Sequence, residues 1–168
     1  MTAPPTPHSQ DRINFEEWFG SNLERLIRDP TAGFICAMVA FPLLERYLRR
    51  VSNDEPSSLA FNNALLQFMG ELGTVKAANQ FWGVYRHGLL HTAELKRSGD
   101  WLSHETQIVT QQGDHFCMNP AKFAERVLEK IRLDFDKYAL QGLPQVEAVT
   151  VPSTLGVSGS TYIGTGSR

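Results

Sequence analysis

Apolar and polar positions along this chain alternate mostly with the period of a helix. The opening stretch, "MTAPPTPHSQ", is rich in Pro, Thr and Ser, which predicts disorder over residues 1–11. Asn14 followed by Glu17 has the form of a helix cap with its reciprocal acidic partner. Phe15, Trp18, Phe19, Leu23, Leu26 and Ile27 then return at helical spacing and predict a first helix ending near Arg28. Asp29-Pro30 reads as a stop and a restart, with Asp as cap and Pro as the first helical residue. A long apolar helix is predicted from Thr31 to about Val51, kinked at Pro42. Its end, "LLERYLRR", is basic, which suits a helix C-terminus. "SNDEPSS" predicts a loop. Leu59, Phe61, Leu65, Phe68, Met69 and Leu72 predict a third helix ending near Gly73, and a fourth follows from about Thr74 to Lys96.

The period then changes. "ETQIVTQQGDHFCMN" holds two short β-prone runs around Gln112-Gly113-Asp114 and predicts a hairpin. Asn119-Pro120 caps a last helix carrying Phe123, Val127, Leu128, Ile131, Phe135 and Tyr138. From Leu143 onward the chain is poor in charge and rich in Ser, Thr and Gly, so residues 143–168 read as a flexible tail. No internal repeat is visible. The expected architecture is an all-α domain over residues 12–142, a compact bundle of about five helices with a short β-hairpin before the last.

Composition narrows the function classes. With 168 residues, 42% of them hydrophobic and 10% aromatic, the chain can bury one sizeable core. A net charge of −2 provides no global basic field, so contact with RNA would have to come from a local patch. No run approaches the roughly 18 uncharged apolar residues of a membrane span, and the N-terminus lacks the basic-then-apolar form of a signal peptide. The expectation is a cytoplasmic protein without a membrane partner. Cys36 and Cys117 are the only cysteines and lack CxxC spacing, which argues neither a disulfide framework nor a zinc ribbon. Cys36, in "GFICAMVAF", reads as a small buried hydrophobe.

One segment carries candidate chemistry: "VYRHGLLHTAEL", residues 84–95. On a wheel of about 100° per residue, Ala78, Phe81, Trp82, Tyr85, Leu89 and Ala93 form the core stripe. His87, His91 and Glu94 fall on the opposite side, bordered by Val84, Leu90 and Leu95, and such a second apolar rim points to a second neighbour, from its own chain or another, and so to an interface. Arg86 stands apart, about 140° from His91 on a regular helix. A distortion at Gly88, or pairing of two copies, would bring the two together. Three readings compete here. One is an exposed helix face with incidental histidines. A second is a metal-dependent hydrolase using His87, His91 and Glu94, with His104 and His115 available but without a matching motif. The third is acid–base chemistry on a phosphodiester, with imidazole exchanging protons and guanidinium holding the phosphate.

Arg86-His87-Gly88-Leu89-Leu90-His91 resembles the R-x4-H motif of the HEPN superfamily, in which a polar residue follows the arginine, as His87 does here. The likeness in architecture covers about residues 12–141; its sequence-specific part is the six-residue motif and its immediate context. The resemblance implies a HEPN-like helical bundle and a metal-independent endoribonuclease without a cofactor. It implies a homodimer whose two motifs line one cleft on RNA, in a toxin–antitoxin or defence setting, with an antitoxin or other regulatory protein as partner. The 2′-hydroxyl would attack the adjacent phosphate, leaving a 2′,3′-cyclic phosphate and a 5′-hydroxyl. On this resemblance His91 transfers the proton, Arg86 stabilises charge on the phosphoryl oxygens, and His87 orients these groups or contacts the phosphate. Other HEPN domains are catalytically silent nucleotide-binding, RNA-binding or scaffolding modules, which is the alternative function. In one subgroup, paired with a nucleotidyltransferase antitoxin, a modified tyrosine stands two residues after the histidine. Ala93 stands there in this chain, so that route does not transfer.

The remaining features read more plainly. Lys96-Arg97 and Arg49-Arg50 read first as solvated helix-end charges and secondarily as RNA-backbone contacts. Trp18, Trp82 and Trp101 read as core or interface anchors, and His104-Glu105 and Asp114-His115 as loop and turn residues.

Overall fold

A computed structural model describes residues 7–92, 99–101 and 107–139 of the chain. Most of the described residues are helical, with one small sheet. The first rod comprises α1 (Pro7–Phe15), a π-helical turn (Glu16–Gly20) and α2 (Ser21–Ile27). It begins at Pro7, so residues 7–11, expected to be disordered, are helical. Asn14 lies inside the rod and does not cap it. Proline tolerates a first-turn position because its missing N–H has no intrahelical partner there.

Asp29 does not cap the next helix. Its Oδ1 accepts hydrogen bonds from the Thr31 backbone N–H at 2.8 Å and hydroxyl at 2.7 Å, a local turn that competes with helix formation. The long helix α3 therefore starts at Gly33 and runs to Ser52, with Pro42 inside it. Gly33 is required by close approach, since a Cβ there would lie 2.8 Å from Pro120 Cγ. Asn53 ends α3 in the left-handed region, at φ 53°, a conformation asparagine tolerates. Ser58 caps α4 (Leu59–Phe68) by accepting from the Phe61 N–H. A 3-10 turn (Gly70–Leu72) leads to α5 (Val75–Thr92), where the Thr74 hydroxyl accepts from the Ala77 N–H at 3.1 Å.

The expected hairpin is β2 (Val109–Gln112) and β3 (His115–Met118), paired antiparallel with Gln112 opposite His115. Gly113, at φ 61°, supplies the positive φ that a two-residue hairpin turn demands. A further strand, β1 (Gly99–Trp101), pairs parallel to β3 and gives the order β1-β3-β2. Asn119 caps α6 (Pro120–Leu133) through the Lys122 N–H, with Pro120 in its first turn, as the sequence predicts. A single turn, α7 (Phe135–Tyr138), completes the described chain.

The core lies between α3, α5 and α6. Phe41 of α3 has its ring centroid within 6.2 Å of those of Phe81, Trp82, Tyr85 and Phe123. Those five side chains are fully buried; burying each aromatic contributes about 1.5–3 kcal/mol before entropy is counted. The Tyr85 hydroxyl reaches the Asp100 carbonyl at 2.6 Å and the Phe116 carbonyl at 2.9 Å, so α5 holds both β1 and β3. Arg132, near the end of α6, pairs with Glu16 and Glu24 and ties α6 to the first rod. Among the described residues, no helix is long and apolar enough to cross a membrane.

Candidate functional site

The site is built on α5 because its apolar stripe leaves a second face. Ala78, Phe81, Trp82, Tyr85 and Leu89 are buried as their spacing predicts. Ala93, Glu94, Leu95, Lys96, Arg97, His104 and Glu105 lie outside the described residues. So does the side chain of His91, whose backbone belongs to α5. Of the metal set, only His87 is placed, half-buried on α5.

The helix narrows two alternatives that the sequence leaves open. Helix α5 runs unbroken through Gly88, so no distortion there rotates Arg86 toward His91. The two positions remain about 140° apart within one chain. Val84, on the rim expected to meet a second neighbour from its own chain or another, meets it within its own chain, where it is buried. The packing of α5 against the remainder of the bundle covers that side.

Arg86 projects toward α3 and meets Glu45. Its Nε donates to Glu45 Oε2 at 2.7 Å and its Nη2 to Oε1 at 3.3 Å, the two-pronged geometry a guanidinium makes with a carboxylate. The side chains are only 21% and 13% exposed, so water screens this pair less than an exposed one. The pair forms the floor of a groove of about 790 Å³ between the C-terminal halves of α3 and α5. Pro42, Arg46, Arg49 and Arg50 line it from α3, Asn53, Asp54 and Glu55 from the loop that follows, and Leu90 from α5. Positions 42, 45, 46 and 49 share one helix face because residues three and four apart are neighbours.

The four arginines of this groove differ in their surroundings. Arg49, exposed, pairs with Glu55. Arg50 is exposed and has no carboxylate partner among the described residues. Arg46 stacks its guanidinium 4.9 Å from the Tyr138 ring centroid, while its Nε is buried without a hydrogen-bond partner. Burial raises the Tyr138 phenol above its ordinary range, and the Arg46 charge opposes that rise. Chemically, this is a concave surface able to hold phosphate oxygens, with its central arginine already oriented by a carboxylate.

Glu45 and Arg46 have no place among the residues singled out from sequence. The signal for them was the polar spacing on α3, where "LLERYLRR" can be read as a groove wall as well as a basic helix end. Trp82 and Trp101 pack in the core and against it, whereas Trp18 is 45% exposed. Compared with protein-family models, curated proteins and solved structures, the chain matches none.

Proposed function

We propose that this protein is a cytoplasmic, metal-independent endoribonuclease of the HEPN type, acting as a homodimer through Arg86, His87 and His91. The observation that carries this reading is Arg86, held in two-pronged fashion by Glu45 on the floor of an arginine-lined groove. A guanidinium fixed in that way is preorganised for charge that develops on phosphoryl oxygens. The unbroken α5 also favours a second copy: one chain keeps Arg86 and His91 apart, and a symmetric pair juxtaposes one chain's arginine with the other's histidine.

The reaction is a transesterification. The 2′-oxygen forms a bond to phosphorus as the bond from phosphorus to the 5′-oxygen breaks. One proton leaves the 2′-hydroxyl and one arrives on the departing 5′-oxygen, so the products are a 2′,3′-cyclic phosphate and a 5′-hydroxyl. His91 carries the proton exchange, Arg86 stabilises the non-bridging oxygens and His87 contacts the phosphate.

A silent RNA- or nucleotide-binding module is the second reading. It is favoured by one detail: Arg86 already commits Nε and Nη2 to Glu45. Incubating mixed RNA in EDTA with wild type, His91→Ala and Arg86→Ala separates the two. Cyclic-phosphate ends from wild type alone are the expected result. Silence from all three folded proteins selects the binding module, and equal activity from all three places cleavage elsewhere. Cleavage abolished by EDTA, with bound metal lost in His87→Ala, selects the metal site of His87, His91 and Glu94.

A further inference from the structure

We infer that the α3 wall of this groove, Arg46, Arg49 and Arg50, is a track for the phosphodiester backbone of single-stranded RNA, with Glu55 standing in for a phosphate on Arg49. This rests on the nucleic-acid reading above and names how the strand is held. Arg46 and Arg50 stand one helical turn apart, about 6 Å along the axis. That rise is comparable with the distance between successive phosphates on an extended strand. Two observations point to an anionic ligand. Arg50 is exposed and lines the groove without a carboxylate partner among the described residues, and the four arginines of the groove outnumber its three carboxylates, Glu45, Asp54 and Glu55.

The Arg49–Glu55 pair fits an exchangeable contact. The two side chains are 46% and 70% exposed, and pairs that open to water contribute little to the fold. A phosphate can therefore displace Glu55 from Arg49 without disturbing the bundle. Arg86–Glu45 is the opposite case, only 21% and 13% exposed, and holds its geometry. A single strand suits the groove because the in-line attack of the 2′-hydroxyl requires a nucleotide freed from helical stacking.

The test is fluorescence anisotropy of full-length protein with a short 2′-O-methyl oligouridine, which binds but cannot be cleaved, across a salt titration. Arg49→Ala and Arg50→Ala should each weaken binding and lower the log–log salt slope by about 0.7, the value for one phosphate contact on a single strand. Arg50→Lys should restore most of the slope, because a point charge suffices for counterion release. Glu55→Gln should tighten binding at low salt. Unchanged slopes in Arg49→Ala and Arg50→Ala, with thermal melts matching wild type, overturn the track, as does tighter binding to duplex RNA. Arginine-dependent binding without cleavage by wild type overturns the ribonuclease reading alone. Cleavage that Arg49→Ala and Arg50→Ala leave untouched overturns the track alone.

Discussion

Arg86 and Glu45 lie 41 residues apart in the chain and meet through two hydrogen bonds. Removing the carboxylate leaves a partly buried guanidinium with less to hold it, so Glu45→Ala should destabilise the fold by about 1–3 kcal/mol. Urea unfolding measures this directly, and a midpoint equal to wild type would show that water replaces the carboxylate without cost. The motif arginine was legible in the sequence as a residue outside the α5 core stripe. Its partner was not, because a contact between two helices leaves no trace in the periodicity of either. Asn119-Pro120 was legible for the opposite reason: the cap acts within three residues, and its side chain accepts from the Lys122 N–H.

At the scale of elements, long amphipathic stretches read correctly and local interruptions did not. The stripe on α5 repeats over about three turns, from Ala78 to Leu89, and survives any small error at its ends. The turn Glu16–Gly20 is π-helical, with an extra residue that shifts the helix face while leaving the order of apolar residues intact. Phe15 and Leu23 are buried as expected, yet Trp18, counted in the same stripe, is 45% exposed. Strand β1 was invisible because its three residues, Gly-Asp-Trp, carry no alternation, and its pairing is with β3, beyond the next strand. The Tyr85 hydroxyl fastens this sheet to α5 by meeting carbonyls of both strands. Tyr85→Phe keeps the ring in the core and removes the donor, so it should cost about 1–2 kcal/mol. Hydrogen exchange should show faster opening of β1 and β3 than of α5; uniform exchange would mean that the sheet holds without this clip.

For the whole molecule, ion pairs and buried phenols set opposite limits on stability. Hydrogen bonds from Arg132 hold Glu24 below its usual carboxylate range, Arg126 does the same for Glu71, and Tyr47 and Lys130 do so for Asp134. Lowered carboxylate values contribute stability that is present above the unfolded-state range, near pH 4, and is lost as pH falls through the folded values. Burial raises the Tyr85, Tyr47 and Tyr138 phenols, so their contribution is complete below about pH 10 and is lost as pH rises through the folded values. Thermal melts followed by circular dichroism should therefore fall off below about pH 4 and above about pH 10. Tyr85→Phe should flatten the alkaline limb, and an unaltered alkaline limb in that variant would remove Tyr85 from the account.

The π-helical turn also gives the molecule an optical asymmetry. It turns Trp18 outward beside the apolar furrow formed with Phe19, Leu26, Val39 and Leu43, while Trp82 is sealed in the core and Trp101 packs its ring against Phe34 and Tyr85. Emission from the outer indole is open to iodide and to anything that settles in the furrow. Emission from Trp82 is shielded until the bundle opens, so surface occupancy and unfolding carry separate fluorescent signatures in the unlabelled protein.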